Sequence, residues 1–173
     1  MRKGIIMPVH SFGSLNLDYV YAVDHFVQGG ETMAALGRQV FAGGKGLNQS
    51  IALARAGAKV YHAGKVGQDG AMLVQLLQDA GADVSHVAVE PDTPTGHAII
   101  QVDNHTGQNC IIIYPGANGC LTPDFIDQAL SNAHPGEFAL FQNETSSLAY
   151  GLEQCHNCLL YTSPSPRDPK TSR

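Results

Sequence analysis

The alternation of extended and helical periodicity between residues 38 and 81 limits the possible folds more than any other feature of this chain. Arg38 to Phe41 reads as a brief strand leading into Gly43-Gly44-Lys45-Gly46. From Gly46 the apolar period becomes helical: Leu47, Ile51 and Ala54 share one face, and Gly57 stands where a helix C-terminal cap belongs. Lys59 to Ala63 predicts a strand, and Gln68 to Ala80 a second helix. That helix carries the stripe Met72, Leu73, Leu76, Leu77 and Ala80, with Gly81 as its stop. Strand, helix, strand, helix in this order implies a parallel sheet covered by helices.

The flanking segments extend the pattern and then depart from it. Gly4 to Val9 is a short apolar run that reads as a first buried strand, and Tyr19 to Val23 as a second; Gln28-Gly-Gly is a turn. Val84 to Val89 is extended. His97 to Val102 and Cys110 to Tyr114 flank the polar loop DNHTGQN and predict a hairpin, hence a flap or small second sheet. Helical character returns with Thr122 as N-cap and Pro123 at the first helical position. Phe125, Ile126, Ala129 and Leu130 form that helix's apolar face, and Phe138 to Phe141 is one more strand.

Composition excludes several classes of function. The 173 residues suffice for one compact domain, and 43% hydrophobic with 14% charged residues fits a folded chain. A formal charge of -5 and the lack of a Lys/Arg stripe argue against a nucleic-acid partner. No apolar run approaches the ~20 residues that span a bilayer. The N-terminal apolar piece, broken by Pro8 and His10, is a poor signal-peptide core. Cys110, Cys120, Cys155 and Cys158 are too few and scattered for a disulfide framework, so a cytoplasmic setting is expected. Cys155-His-Asn-Cys158 lacks the second ligand pair of a zinc site. His62, His86 and His97 read as strand or loop residues and not as metal ligands.

The glycine turn invites a phosphate-cradle reading, because helix N-termini attract anions. It fails the P-loop pattern: Gln39 stands where the leading glycine belongs, and Gly46 where the Ser or Thr would hold Mg2+. It fails the dinucleotide pattern at Gln49. A tight turn with a surface lysine remains one reading. The other is a ligand pocket with open backbone N–H groups, into which Asn48 projects from the first helical turn. Upstream, Gly13-Ser-Leu-Asn16-Leu-Asp18 follows the first strand, at the carboxyl edge where parallel sheets bind ligands. If that segment is extended, Asn16 and Asp18 share a face and suit a sugar diol, since a carboxylate accepts from neighbouring hydroxyls. If not, they form an Asx turn that ends the strand.

Taken in order, G-S-L-N-L-D, G-G-K-G-L-N-Q-S-I-A-L-A-R-A-G-A and V-G-Q-D-G resemble the ribokinase-like (PfkB) sugar kinases. Gly30-Glu31-Thr32, Pro94-Thr95-Gly96 and Pro115-Gly-Ala-Asn118 add to the resemblance, which extends from about Ile5 to Glu144. It implies an α/β fold: a parallel sheet flanked by helices, with a small β-sheet lid near residues 19–23, 38–41 and 97–114. It implies ATP- and Mg2+-dependent phosphorylation of a sugar or nucleoside hydroxyl. By position, Asn16, Asp18, Gly43, Gly44 and Asn48 would line the sugar pocket, with Lys45 beside it and Glu144 reaching the sugar. The glycine turn then serves the phosphate acceptor and not the nucleotide. The lid doubles as a homodimer surface in several members.

The resemblance also implies a domain roughly twice this length, ending in a G-A-G-D turn that carries the catalytic aspartate. No G-A-G-D occurs in this sequence, so no catalytic residue, nucleotide site or metal ligand is assigned to it, and the chain alone is expected to be inactive. A sheet cut in half would also expose apolar faces, giving poor solubility or self-association. Residues 1–154 read as the N-terminal part of the domain. From Cys155 the sequence is not expected to continue into the family's next strand, and SPSPRDPKTSR reads as a disordered or artefactual end. Two other readings stay open. One is a non-catalytic sugar-binding module. The other is a nucleoside kinase of the same fold, with Tyr21 or Phe41 against the base.

Overall fold

The computed structural model describes residues 7–158 and 160–164. Among the described residues, nine strands form two sheets of different construction, accompanied by four α-helices. The larger sheet has the strand order β5-β4-β1-β8-β9, built from β1 (Val9–Phe12), β4 (Val60–Gly67), β5 (Asp83–Glu90), β8 (Phe138–Phe141) and β9 (Tyr161–Pro164). Every pairing in it is parallel. The smaller sheet has the order β3-β2-β6-β7, from β2 (Asn16–Val23), β3 (Gly37–Gly43), β6 (Gly96–Asp103) and β7 (Asn109–Tyr114). Its β2–β3 and β6–β7 pairs are antiparallel, and its central β2–β6 pair is parallel.

Helices cover both faces of the larger sheet, as a doubly wound arrangement requires. On one face, α1 (Lys45–Arg55) and α2 (Ala71–Asp79) bury Leu47, Leu73 and Leu77 against Leu15, Val60 and Val66. On the other, α3 (Pro123–Leu130) and α4 (Leu148–Asn157) bury Ile126, Ala129, Leu130 and Cys155 against Phe12, Ala63 and Phe141. Phe12 and Phe141, neighbours in register, stack with ring centroids 4.8 Å apart. The capping expected at α3 is present: the Thr122 side chain accepts from the Phe125 N–H, with Pro123 following.

Four expectations need correction. The first described strand is Val9–Phe12, while residues 4–6 of the anticipated Gly4-to-Val9 strand lie outside the described residues. His10 and Ser11 disguise this strand, because both are polar yet buried; His10 meets Glu137 Oε2 at 2.7 Å through its Nε2. Along α2, Met72 is exposed, and Leu73 and Leu77 alone on that helix are fully buried. Along α1, the core face includes Ser50 beside Leu47, because the Ser50 hydroxyl meets His62 Nδ1 at 2.8 Å beneath the helix. Finally, the chain does continue into a strand after α4: Leu160 is buried and Tyr161–Pro164 pairs with β8. The helix itself passes residue 154 and ends at Asn157. The remainder of the Pro/Ser-rich end lies outside the described residues.

The V-G-Q-D-G stretch ties the two sheets together. Asp69 Oδ1 accepts from the Thr95 N–H and hydroxyl at 2.9 and 2.6 Å, while the Thr95 hydroxyl accepts from the Gly67 N–H at 2.9 Å. The end of β4 is thereby fixed to the start of β6, and the small sheet stands at the carboxyl edge of the large one.

Candidate active site

The segment Asn16–Val23 is a strand, which excludes the Asx-turn reading and places Asn16 and Asp18 on one face of β2. Asn16 pairs with Gly43 on β3 and Gly96 on β6, and Asp18 pairs with Phe41 and Ala98. Gly43 leaves room that any other residue would fill: a Cβ there would lie 2.2 Å from Asp18 Oδ2. Gly44 has φ 99°, a left-handed backbone that favours glycine, and a Cβ there would lie 2.6 Å from the Ser14 carbonyl oxygen. The glycine turn is therefore pressed against both the Asp18 carboxylate and the Ser14 backbone.

The N-terminus of α1 is not an open cradle. The Gly46 N–H donates to the Ser14 hydroxyl at 3.3 Å and the Leu47 N–H to the Ser14 carbonyl at 3.0 Å. The Lys45 N–H points to Glu144 Oε2 at 3.4 Å. These are among the groups that would hold a phosphate, and each already has an acceptor. This corrects the expectation of open N–H groups at the turn. Asn48 occupies the first turn of α1 as anticipated, with its side chain exposed.

Glu144 joins the site from the far end of the chain. Its Oε1 pairs with Lys45 Nζ at 2.7 Å, and its Oε2 accepts from the Ser14 hydroxyl at 2.6 Å. Burial raises its proton affinity, but the hydrogen bonds from Lys45 and Ser14 outweigh that and hold the carboxyl below its ordinary range. Asp18 goes the other way: burial, then the Glu144 charge, push its carboxyl up. Asp18 makes no side-chain hydrogen bond among the described residues, so its carboxylate has lone pairs to offer a ligand. Two carboxylates, one lysine and two amides thus converge where β1 and β2, the start of α1 and the loop after β8 meet.

The strands around this site form a recognisable frame. The chain matches the pfkB family of carbohydrate kinases over residues 8–152. The chain belongs to that family. It is 35% identical to a ribokinase of Haemophilus influenzae over 147 residues, covering 84% of this chain and 46% of that one. A deoxyribokinase of Salmonella typhi is 29% identical over 170 residues, covering 94% of this chain and 55% of the other. Among solved structures, Arabidopsis thaliana ribokinase complexed with ribose and ATP superposes with a TM-score of 0.81 at 27% identity, over 96% of this chain and 54% of that one. The pfkB chain described here spans about half the length of the curated relatives it matches. Among the described residues, no helix is long and apolar enough to cross a membrane.

The structure brings Asn16, Asp18, Gly43, Gly44, Lys45 and Glu144 together and sets Asn48 one helical turn from Lys45. Sequence reasoning missed Ser14, which holds both Glu144 and the start of α1. Its only signal was its place in Gly13-Ser-Leu-Asn16, where a buried hydroxyl looks like any turn serine. His62, His86 and His97 lie on β4, β5 and β6.

Proposed function

We propose that residues Asn16, Asp18, Gly43, Gly44, Lys45, Asn48 and Glu144 form the phosphate-acceptor side of an ATP-dependent sugar kinase, with a pentose as the acceptor. The observation that supports this most is the pairing of Asn16 and Asp18 on one face of β2 against the glycine turn, with Asp18 lacking a hydrogen-bond partner among the described residues. A sugar diol offers neighbouring hydroxyls that donate to a carboxylate and accept from an amide. Binding there would relieve the desolvated Asp18 charge. Lys45 keeps Glu144 ionised and in place, so Glu144 and Asp18 together favour a neutral ligand over an anionic one.

The residues present do not fit a nucleotide. The first N–H groups of α1 are taken by Ser14 and Glu144, and the sequence holds no G-A-G-D. ATP and Mg2+ are therefore not placed at the start of α1, and no catalytic step is derived for these residues. Phosphoryl transfer depends on positioned charge around the moving group. The 173-residue chain alone is accordingly expected to bind acceptor without turning it over.

Two features support a homodimer through the small sheet, which would act as the lid. Its outer strand β7 leaves Ile111, Ile112, Ile113 and Tyr114 exposed, and Phe41 on β3 is also exposed. A second copy would cover that apolar surface. The described cysteines are all unpaired, which supports a reducing, cytoplasmic setting.

The test is a calorimetric titration of the purified chain with ribose, 2-deoxyribose, fructose, 2-keto-3-deoxygluconate and adenosine, beside an assay of ATP-dependent phosphorylation. Saturable ribose binding without turnover is the expected result. Tighter binding of adenosine, lost in Phe41→Ala, would favour a nucleoside acceptor. Turnover by this chain would overturn the division of labour, and no binding to any of the five would overturn the acceptor reading.

A further inference from the structure

The motif Pro115-Gly-Ala-Asn118 contributes nothing to the pocket as described so far, yet Asn118 is 2% exposed and lies in the short 3-10 helix Gly116–Cys120 that follows β7. The Leu15 N–H donates to Asn118 Oδ1 at 3.0 Å. A backbone N–H is a donor and nothing else, so it decides which end of the Asn118 amide faces Leu15. Asn118 Nδ2 is thereby turned toward the Leu15 carbonyl at 3.2 Å and toward Asn16 Oδ1 at 2.7 Å. An amide nitrogen only donates, so the atom of Asn16 that meets it is the carbonyl oxygen. The Asn16 nitrogen is then the end of that side chain left to meet a ligand beside Asp18.

Two neighbours fit this arrangement. Gly96 is the register partner of Asn16 on β6, and a Cβ there would lie 2.1 Å from Asn118 Nδ2 and 2.5 Å from Asn16 Oδ1. The glycine makes room for the amide pair. The Asn118 carbonyl also accepts from the Ser146 N–H at 3.0 Å, two residues beyond Glu144. One buried residue thus joins the end of the lid, the start of β2 and the loop that delivers Glu144.

We infer that Asn118 is a positioning residue that sets the direction of the Asn16 amide, so that this face of β2 presents a donor, Asn16 Nδ2, beside a carboxylate acceptor, Asp18. This rests on the acceptor-pocket reading and deepens it. The ligand that matches is a pair of neighbouring hydroxyls, one accepting from Asn16 and the other donating to Asp18. With the Asn16 amide reversed, this face of β2 would present acceptors alone and would pair poorly with a hydroxyl oxygen.

Ribose titrations of the full chain test it. Asn16→Asp keeps an oxygen against Asn118 and replaces the pocket-facing donor with an acceptor; ribose affinity should fall at least tenfold. Asn118→Asp still accepts from Leu15 but makes Asn16 donate inward, reversing its amide; affinity should fall by a similar factor. Because Asn118 acts through the Asn16 amide, Asn118→Asp should cost no further affinity in an Asn16→Ala background, where there is no amide to orient. A merely structural Asn118 would give losses that multiply. Wild-type affinity in Asn16→Asp, or multiplying losses, would overturn the proposal.

A ligand-free measurement guards against a variant that does not fold. In the wild-type chain, a through-hydrogen-bond NMR coupling should connect Asn118 Nδ2 to Asn16 Cγ, and its absence would also overturn the proposal. The coupling present without any ribose binding would overturn the acceptor-pocket reading and support the orientation of Asn16.

Discussion

The two sheets of this chain put their polar residues to opposite uses. In the parallel sheet, buried polar side chains pair with one another, His10 with Glu137 and His62 Nδ1 with Ser50 under α1, while the neutral Ser11 Oγ and His62 Nε2 have no hydrogen-bond partner among the described residues. In the smaller sheet, Asp18 is partly buried and left without a partner among the described residues, and β7 is exposed along its whole length. A partly buried carboxylate without a partner costs more than a neutral hydroxyl or imidazole nitrogen does, and the hydroxyls of a ligand would complete it. On the proposed acceptor reading, the difference separates the part of the molecule that holds itself together from the part that holds a ligand.

Truncating each sheet tests this separation most sharply. Phe141→Ala removes a ring that stacks on Phe12 in the core and should cost about 3–5 kcal/mol in chemical denaturation. At concentrations where the chain is monomeric, Ile112→Ala, on the exposed strand β7, should cost no more than about 0.5 kcal/mol. Equal losses would break the comparison.

Acid acts on the same contrast. Burial, weakly opposed by the Gly13 carbonyl, depresses the His62 pKa to about 4 from an ordinary 6.5. The unfolded chain therefore takes up a proton that the folded chain refuses. This contribution to stability is complete above pH 6.5, shrinks as the pH falls towards 4, and totals about 3 kcal/mol. Urea midpoints measured from pH 7.5 to 4 should show this slope, and His62→Gln should flatten it. An unchanged slope in His62→Gln would place the acid sensitivity elsewhere.

The lid should show the reverse trade. The Asp18 carboxyl is pushed up by burial and by Glu144, so its ionised form is unfavourable to the fold above its ordinary pKa. Asp18→Asn should stabilise the ligand-free chain slightly and so raise its melting temperature, the gain being no more than about 1 kcal/mol because solvent screens the half-open site. A clear drop in melting temperature would show that Asp18 is part of the scaffold. The smallest effect belongs to Lys45, whose side chain is 64% exposed in its pair with Glu144. Lys45→Met should change stability by about 0–1 kcal/mol, less still in high salt.

How legible these regions were in the sequence follows from the same division. The helices, the hairpin and the Thr122 cap were readable because periodicity and turn chemistry are local. The first strand was misplaced because His10 and Ser11 look like surface residues until Glu137 and the helices are in view. Ser50 was passed over on α1 for the same reason: its partner, His62, is twelve residues away on β4. In the candidate site, the G-S-L-N-L-D and G-G-K-G motifs pointed to residues that the fold brings together. They could not show that Ser14 and Glu144 close off the start of α1, because Glu144 arrives from 130 positions beyond Ser14. Asn118 stood in a recognised motif, but its role depends on a backbone N–H that only the folded chain places beside it.

The central claim is that Asn16 and Asp18 bind a sugar on the lid face of the glycine turn. Calorimetric titration of ribose into the wild-type chain and into Asp18→Asn tests it most directly. Losing a hydrogen bond to a charged group should weaken binding by about 10- to 100-fold. Saturable binding to the wild-type chain, weakened to that degree in Asp18→Asn at an equal or higher melting temperature, is the predicted result. Equal affinity in the two proteins, or no binding by the wild-type chain, would contradict it.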